Sequence, residues 1–277
     1  MEKILFATDL SVRSDRALDR ALLLAADRRA ILHILHVVEK DPHLPNTYVQ
    51  RDIAKAIERL ESEMEDLFGS GWVTPIHQVV EGEPVAKIVD IADQLDADLI
   101  VMGLSRDFST ETLFLGTTAD KVIAKSRRPV LIVKARPKRG YEKILVALDQ
   151  SLPSRSSLET ALKVSPRASF TIVHGAEAKK HEDVDLVRLR DQMNGIARAC
   201  MDKALEKSSG HDRSLTIYVE REKASDLVAS YVDSMKPDLV AFGRSNKSGL
   251  KAFVLGSTAR LLIERLQCDL LVASAGK

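Results

Sequence analysis

The sequence predicts an α/β protein built from two tandem doubly wound domains, and three observations support that prediction. Short apolar runs that suit buried strands alternate along the chain with segments whose apolar residues keep helical spacing. The stretch from Asp98 to Thr118, DLIVMGLSRDFSTETLFLGTT, recurs as DLVAFGRSNKSGLKAFVLGST from Asp238 to Thr258. The chain has 277 residues, which is more than one average domain contains. Strands separated by helices imply right-handed crossovers, and therefore a parallel sheet with helices on both faces in each domain.

In the first half, five apolar runs have the length and the flanking residues of strands. They are Lys3–Thr8, Ile31–Val38, Trp72–Val80, Leu99–Met102 and Pro129–Val133. Helices are predicted between them. Ser11 or Ser14 can cap the first helix, Pro84 suits the first turn of a helix over Val85–Leu95, and another helix opens at Gly116. A long helix after the second strand has its apolar residues on one face: Ile53, Ile57, Leu60, Met64 and Leu67.

The same pattern restarts after a short polar segment. Lys143-Ile144-Leu145 repeats Lys3-Ile4-Leu5 at a distance of 140 residues. We therefore place a first domain at residues 1–135, a linker at 136–141 and a second domain at 142–277. Later strands of the second domain are predicted at Ser169–Ala176, Leu239–Phe242 and Leu270–Ala273. The long helix has its counterpart in an apolar face formed by Leu186, Leu189, Met193, Ile196 and Cys200.

The composition excludes some classes of partner. Hydrophobic residues make up 45% of the chain and charged residues 29%, so each half can bury a core. Lysine and arginine total 41 against 40 aspartate and glutamate residues, which argues against recognition of nucleic acid through net charge. Aromatic residues are only 4%, too few to predict a base-stacking platform for single strands. We therefore expect no nucleic-acid partner.

Cysteine usage and the first residues predict a cytoplasmic protein without a metal site. Cys200 and Cys268 form neither a disulfide framework nor a closely spaced pair of metal ligands. His33 and His36 would face opposite sides of their strand and so would not chelate a metal together. The segment MEKILFATDLS enters a strand pattern directly, without the features of a secretory signal. No uncharged apolar run reaches the roughly 18 residues of a membrane helix, so we expect no membrane partner.

The repeated stretch joins a strand to a helix through a loop that suits phosphate. In each copy the strand ends in a glycine, Gly103 or Gly243, and the helix opens at a second glycine, Gly116 or Gly256, with twelve residues between them. Unpaired N–H groups at the start of a helix attract anions. Each domain therefore contains a candidate phosphate-binding loop.

Together these residues resemble the universal stress protein family in its tandem two-domain form, over nearly the whole chain. The resemblance depends on an aspartate after the first strand (Asp9, Asp149), a histidine in the second strand (His36, His174) and the spacing Gly-x2-Gly-x9-Gly-Ser/Thr after the fourth. It implies a five-stranded sheet of order 3-2-1-4-5, in which the first and fourth strands are neighbours at the topological switch point. In ATP-binding members the aspartate contacts the ribose, the glycine loop wraps the phosphates, and the residue after the histidine packs against adenine.

The resemblance implies one candidate site for ATP or AMP in each domain, with any magnesium accompanying the ATP and no catalytic residue. In the second domain the implied residues are Asp149, Gly243, Asn246, Lys247, Gly256, Ser257 and Thr258. In the first domain they are Asp9, Val37, Gly103, Gly116, Thr117 and Thr118.

The two candidate loops differ, and the sequence favours the second. The middle glycine of the motif is replaced by Arg106 in the first loop and by Asn246 in the second, and asparagine tolerates left-handed backbone better. Residues 104–115 contain one basic and two acidic side chains, whereas residues 244–255, beginning with Arg244, contain three basic and none acidic. The second loop should therefore attract phosphates more strongly. We predict that a nucleotide prefers the second domain.

The residue after the strand-two histidine favours the other domain. It is Val37 in the first half and Gly175 in the second. On the resemblance, Gly175 thins the packing of a base in the second domain.

Each site residue also has a purely structural interpretation. Asp9 and Asp149 can fix the turn before a helix by accepting backbone N–H groups. Thr117 and Ser257 can be ordinary helix caps. Cys200, on an apolar helix face, is interpreted as an inert buried thiol. His33 and His36 are assigned to the core or to strand ends.

Three functional hypotheses follow. The first is a nucleotide-binding stress-response module with little or no turnover, since the chain has no G-x4-GK[ST] loop, no G-x-S-x-G elbow and no metal cluster. Slow ATP hydrolysis or autophosphorylation stays open, with Ser257, Thr258 and Thr117 as acceptors on the resemblance. The second is a nucleotide-independent interaction or scaffold protein, favoured by the two replaced glycines. The third is an enzyme related to nucleotide-processing α/β folds, for which fold analogy is the only support.

The fifth strands predict how the two halves associate. PVLIV at 129–133 and LLVA at 270–273 would expose long apolar edges, which folded proteins usually cover. Single-domain relatives commonly dimerise through this edge. We therefore expect an intramolecular pseudo-dimer, and the sequence leaves open a further homodimer and the identity of protein clients.

Overall fold

The computed structural model describes residues 2–11, 14–39, 55, 75–103, 117–176, 185–205, 214–244 and 257–274. The chain separates into two compact units, Met1–Arg139 and Gly140–Lys277. Each unit alternates strands with helices around a parallel sheet, which confirms the predicted α/β class.

Within the described residues, the first unit contains five strands and three helices. In chain order these are β1 (Lys3–Thr8), α1 (Asp15–Arg28), β2 (Ile31–Val38), β3 (Ile76–Glu81), α2 (Pro84–Gln94), β4 (Leu99–Gly103), α3 (Thr117–Lys125) and β5 (Val130–Val133). The bounds of β1 and β2 coincide with the predicted ones. The third strand begins at Ile76 instead of Trp72, because its pairing with β2 starts at Ile76 opposite His33. The long helix predicted over residues 53–67 lies outside the described residues except for Lys55, which is helical.

The second unit repeats this order in the part of it that the structure describes. Its elements are β6 (Lys143–Ala147), α4 (Leu152–Val164), β7 (Ser169–Gly175), α5 (Leu186–Leu205), β8 (Leu215–Glu220), α6 (Ala224–Met235), β9 (Leu239–Gly243), α7 (Ser257–Arg265) and β10 (Asp269–Ala273). The apolar face predicted for α5 is its inner face, since Met193 is 0% exposed and Cys200 is 3% exposed.

The strand order is the same in both units and agrees with the expected 3-2-1-4-5. The first sheet runs β3-β2-β1-β4-β5, and the second runs β8-β7-β6-β9-β10. Neighbouring strands within each unit are parallel. Thus β1 lies beside β4 and β6 beside β9, so each unit has its switch point between these two strands.

The central strands form the cores. Ile4, Leu5 and Phe6 on β1 are each 1% exposed, and all four apolar residues before Gly243 on β9 are buried. Helices cover both faces of these strands, which explains why they read as continuous apolar runs in the sequence. The edge strands next to β2 and β7, which are β3 and β8, alternate between half-buried and exposed residues along most of their length.

Each unit has an aspartate that accepts hydrogen bonds from the backbone at the amino end of its first strand. The Asp98 carboxylate accepts a hydrogen bond from the Lys3 backbone N–H at 2.9 Å. In the second unit, the Asp238 carboxylate accepts from Lys143 N–H at 2.9 Å and Glu142 N–H at 2.8 Å. Each aspartate precedes the fourth strand of its unit, so it ties that strand to the beginning of the first.

The second unit has a further buried polar contact near the amino end of its sheet. Tyr141 is 3% exposed, and its hydroxyl donates to the carboxylate of Asp269, which is 1% exposed, at 2.7 Å. The Ser165 hydroxyl donates to the Tyr141 carbonyl at 2.6 Å. Tyr141, which the sequence placed in the linker, is therefore a core residue of the second unit.

We expect Tyr141→Phe to lower the free energy of unfolding by about 1–3 kcal/mol, because buried Asp269 loses a donor that water cannot replace. Urea unfolding followed by circular dichroism measures the change. Tyr218→Phe is the matched control, since Tyr218 is 40% exposed and should shift stability by less than about 0.5 kcal/mol. Equal effects of the two substitutions would contradict this assignment.

The beginning of the predicted linker is held on the first unit. Arg16 of α1 donates to the carbonyl of Lys134 at 2.7 Å, and Arg20 donates to the carbonyl of Arg139 at 2.9 Å. Arg136 pairs with Asp19 at 3.2 Å. Residues 136 and 139 of the predicted linker are thus bonded to α1.

Candidate functional site

The candidate sites lie at the carboxyl ends of the central strands. Asp9 directly follows β1, which pairs with β4, and Asp149 lies two residues after β6, which pairs with β9. In open parallel sheets, ligand crevices form at this end and at this switch point. The fold therefore brings the two predicted aspartates to equivalent positions.

In the first unit, the Asp9 carboxylate holds the turn that leads into α1. Its Oδ1 accepts from the Ser11 backbone N–H at 3.0 Å, the Ser11 hydroxyl at 2.7 Å and the Ser14 hydroxyl at 2.5 Å. Partial burial opposes ionisation, but the bonds from Ser14 and Ser11 outweigh it and hold the pKa of Asp9 below its ordinary value of 3.8. The turn-fixing interpretation of Asp9 is therefore correct as far as this oxygen is concerned.

The lowered pKa of Asp9 predicts a contribution to acid stability. A carboxyl whose pKa is lower in the folded state stabilises the fold above its unfolded pKa, and this stabilisation is lost as the pH falls through the folded value. We expect the free energy of unfolding to fall with pH below about 4, and to fall less steeply in Asp9→Asn. Urea titrations across this range measure the two slopes, and identical slopes would contradict the prediction.

The second unit arranges the same residue types differently. Asp149 Oδ1 accepts from the Ser151 N–H at 2.8 Å and from the Ser151 hydroxyl. Ser151 also caps α4 by accepting from the Ser154 N–H, whereas the Ser154 hydroxyl accepts from the Asp149 N–H at 2.7 Å. In the first unit the equivalent Ser14 has its hydroxyl on Asp9 and makes no side-chain cap on α1. Among the described residues, Asp149 thus receives fewer donors than Asp9.

Oδ2, the second oxygen of each carboxylate, differs from Oδ1 in its hydrogen bonding. Within the described residues, the Oδ2 atoms of Asp9 and Asp149 accept no hydrogen bond, and both residues keep part of their surface accessible to solvent. The serine bonds fix the orientation of each carboxylate through Oδ1. A ligand hydroxyl could be recognised by Oδ2 without disturbing the turn.

The strand-two histidines fasten the backbone next to each aspartate. His36 Nδ1 lies 2.9 Å from the carbonyl oxygen of Thr8, and His174 Nδ1 lies 2.7 Å from that of Leu148. A carbonyl can only accept, so Nδ1 carries the proton in both residues. Each histidine thus has a strand-end role and holds the residue before the aspartate. The sequence suggested the position of this pair but not its bond.

Gly243 serves packing at the end of β9. A Cβ on this residue would lie 2.5 Å from the backbone carbon of Pro153 and 2.7 Å from Cα of Ser154. The first turn of α4 therefore lies directly on the glycine, and this approach positions Ser154 beside Asp149. Gly243 thus allows the first turn of α4 to lie against the carboxyl end of β9.

Arg244 does not belong to an exposed basic loop. It is 5% exposed, and its backbone N–H donates to the Ala273 carbonyl at 2.7 Å, so strand pairing continues one residue beyond Gly243. Burial lowers the pKa of Arg244. Arg244 was predicted to be one of three basic side chains of the second loop, and this prediction is wrong for Arg244.

The described residues include only the ends of the two glycine loops. Gly103 and Gly243 end β4 and β9, and helices α3 and α7 start at Thr117 and Ser257, directly after the second glycines. Thr118 is half-buried in the first turn of α3. Four predicted site residues lie outside the described residues: Gly116, Asn246, Lys247 and Gly256. Their contact with phosphate stays a prediction.

Other predicted chemistry can be assessed from the described residues. Burial raises the pKa of the Cys200 thiol to about 11, in agreement with an inert thiol, and neither Cys200 nor Cys268 forms a disulfide. No cluster of three or more His, Cys, Asp or Glu side chains in these residues is arranged to hold a metal ion. The helices of the described part are all too short or too polar to cross a bilayer.

Comparison with known proteins gives a match in each unit. The sequence model described as the universal stress protein family matches residues 1–134 and again residues 140–274. The universal stress protein E homolog of Haemophilus influenzae is 24% identical over 273 residues, which cover 93% of this chain and 82% of that protein. A universal stress protein of Methanocaldococcus jannaschii is 30% identical over 149 residues, covering 50% of this chain and 84% of the relative.

A solved structure resembles the whole chain. The crystal structure of a universal stress protein from Archaeoglobus fulgidus superimposes with a TM-score of 0.76 at 19% identity and covers 99% of this chain and 98% of that one. At this identity the likeness concerns the fold.

Proposed function

The chain belongs to the universal stress protein family, and we propose that it is a cytoplasmic nucleotide-binding stress-response module that holds ATP or AMP, mainly in its second unit, with little or no turnover. The proposal gives no residue a catalytic role. It assigns the ribose to Asp149 and the phosphates to Asn246, Lys247 and the start of α7.

The proposal rests on one observation: the two oxygens of the Asp149 carboxylate differ in their hydrogen bonding. Serine donors fix Oδ1 of Asp149 at the switch point between β6 and β9, while Oδ2 accepts no hydrogen bond among the described residues. A pre-oriented carboxylate oxygen suits a ligand that offers a hydroxyl donor, because hydrogen bonds to carboxylates are among the strong ones. A ribose offers such hydroxyls, and the helix start at Ser257 suits the phosphates of the same nucleotide.

Preference for the second unit has support from the carboxylates themselves. Asp9 Oδ1 accepts three hydrogen bonds from Ser11 and Ser14, whereas Asp149 Oδ1 accepts two from Ser151. Each added donor withdraws electron density from the carboxylate and weakens it as an acceptor. Asp149 should therefore be the stronger acceptor for a ligand hydroxyl.

Thermal melting with added nucleotide tests the proposal. A ligand that binds the folded state raises stability by RT ln(1 + [L]/Kd), which is about 2.7 kcal/mol at a hundredfold excess over Kd. We expect the Tm to rise progressively with ATP and with AMP. An unchanged Tm at millimolar ATP would contradict nucleotide binding.

The second candidate function is a nucleotide-independent scaffold, and one observation favours it. Both Gly175 and Gly243 have the place of their missing Cβ filled by helix or turn backbone, so packing alone requires glycine there. These two glycines would be needed in a protein that binds no ligand. If the protein is a nucleotide-independent scaffold, ATP should leave its Tm unchanged. The nucleotide-binding proposal predicts that ATP raises the Tm.

A further inference from the structure

The exposed face of helix α5 carries charges of alternating sign. The helix buries one face through Met193, Ala197 and Cys200, which are at most 3% exposed. On the opposite face, five exposed residues follow one another at intervals of three or four, which places them in a single stripe about 21 Å long. They are Arg188, Asp191, Gly195, Arg198 and Asp202. We call these five residues the α5 stripe.

The charges of the α5 stripe do not support the helix to which they belong. Within the described residues, none of the four charged side chains forms an ion pair or a hydrogen bond. Arginine precedes aspartate in both neighbouring pairs, which is the less favourable order for pairing within a helix. Arg188 is the third residue of α5 and Asp202 is the fourth from its end, so each has the sign that the helix dipole disfavours.

The glycine at the centre of the stripe also has no role within the chain. A Cβ on Gly195 would meet no described atom within 4 Å, so packing does not require glycine there. Glycine inside a helix lowers stability relative to alanine. The distance between two packed helices depends on the side chains at their contact, and a residue without a side chain permits a close approach. Gly195 therefore suits the crossing point of two helices.

The α5 stripe is complementary to itself when two copies run in opposite directions. Arg188 and Asp202 each lie seven residues from Gly195, on opposite sides of it. Asp191 lies four residues before Gly195 and Arg198 lies three after it. These two distances differ by only one residue, or about 1.5 Å along the helix. Two antiparallel copies that cross at Gly195 thus bring arginine opposite aspartate at all four places, whereas parallel copies would bring like charges together.

We propose that the α5 stripe is the contact surface of a homodimer, in which the α5 helices of two chains pack antiparallel across a twofold axis at Gly195. A twofold dimer uses the same patch on both subunits, so the patch has to be self-complementary. The contact contains two pairs of Arg188 with Asp202 and two pairs of Asp191 with Arg198. It also places the start of each helix beside the end of the other, which gives Arg188 and Asp202 the opposite charge that their own helix lacks. This inference concerns assembly and does not rest on the proposed nucleotide binding.

Sedimentation velocity of the full chain tests the assembly. We expect the fraction of dimer to rise as the protein concentration increases from about 1 µM to about 100 µM. At a fixed concentration it should fall between about 0.1 M and about 1 M NaCl, because the screening length shortens from about 10 Å to about 3 Å. A chain that is monomeric throughout this range, or a dimer that salt does not weaken, would overturn the proposal.

Charge reversal tests the pairing itself. Arg188→Glu with Arg198→Glu makes the stripe wholly acidic, and Asp191→Lys with Asp202→Lys makes it wholly basic. Each double variant alone should have a dissociation constant at least about tenfold higher, because like charges then face each other. An equimolar mixture of the two should form a mixed dimer, since an acidic stripe complements a basic one. A mixture that stays monomeric, or double variants that dimerise as the natural chain does, would contradict the antiparallel contact.

Lys163→Glu with Arg167→Glu is the matched control for the acidic variant. It makes the same change in charge at exposed residues of the second unit that lie outside α5. The dissociation constant should stay within about twofold of the natural value. Circular dichroism should show that all three double variants keep their helix content, because every substituted side chain is exposed. An equal loss of dimer in the control would mean that net charge, and not the stripe, governs association.

Gly195→Gln tests the crossing point without any change in charge. Glutamine is a better helix former than glycine, so the fold should be retained or gain stability. Alanine is small enough for such a crossing, whereas the longer glutamine side chain should hold the two helices apart. We expect the dissociation constant to rise at least about threefold. An unchanged dissociation constant would show that the helices do not cross at Gly195.

Discussion

Asp149→Asn is expected to weaken ATP binding by about 10- to 100-fold, because a hydrogen bond to a charged group contributes about 1.5–3 kcal/mol. Asparagine keeps an oxygen that can accept from the Ser151 N–H and hydroxyl, so the turn before α4 is retained. The amide nitrogen replaces the second carboxylate oxygen and cannot accept a ligand hydroxyl. Calorimetric titration of the full chain with ATP measures the loss.

Two further variants make this result specific. Asp202→Asn removes an exposed carboxylate of α5 in the same unit and should leave ATP affinity within about twofold. Asp9→Asn should weaken binding less than Asp149→Asn does, because the proposal places most of the nucleotide in the second unit. A larger loss in Asp9→Asn would overturn the preference for the second unit.

Gly243→Ala is expected to destabilise the protein by about 3 kcal/mol or more, because the added methyl group would overlap backbone atoms that cannot repack. The new Cβ would lie 2.5 Å from the carbonyl carbon of Pro153 and also close to the Ser154 nitrogen. Relief requires that α4 move away from β9. Ser154, which bonds to the Asp149 N–H, would move with it.

Gly195→Ala is the matched control for this substitution. Gly195 lies within α5, and a Cβ there would meet nothing within 4 Å. Alanine is favoured over glycine inside a helix by about 0.5–1 kcal/mol, so this variant should be more stable than the natural protein. Urea unfolding should therefore show opposite signs for the same chemical change in one unit. A loss of stability in both variants would contradict the packing role of Gly243.

The sequence was sufficient to predict the elements that are buried on both faces. β1 and β2 coincide with their predicted bounds, because parallel strands under helices read as continuous apolar runs. Outer strands have a weaker pattern, and β3 starts at Ile76, four residues after the predicted start at Trp72. The duplicated motif and the resemblance were sufficient for the order of the strands.

The hydrogen bonds among the polar side chains of the site could not be predicted in the same way. Ser11 or Ser14 was expected to cap α1, yet both hydroxyls bond to Asp9, while Ser151 both caps α4 and bonds to Asp149. Which partner a serine hydroxyl bonds to depends on small differences in the geometry of the turn. The residue types alone do not determine this geometry. The spacing of five residues in Asp9–Ser14 and Asp149–Ser154 was the available signal.

Long-range packing accounts for the other differences. Arg244 was counted as a loop charge, but β9 keeps pairing with β10 for one more residue and buries it. Gly175 was interpreted as a thin place for a base, whereas the backbone at Glu222 fills that space from 47 residues further along the chain. Such contacts depend on how a helix meets a strand end, and a single sequence does not specify them.

A crystal structure of the full chain with millimolar ATP would test nucleotide binding by the second unit. We expect nucleotide density beside Asp149, with a ribose hydroxyl on Oδ2 of Asp149 and phosphates at the start of α7. Density confined to the crevice beside Asp9, or absent from both crevices, would contradict it.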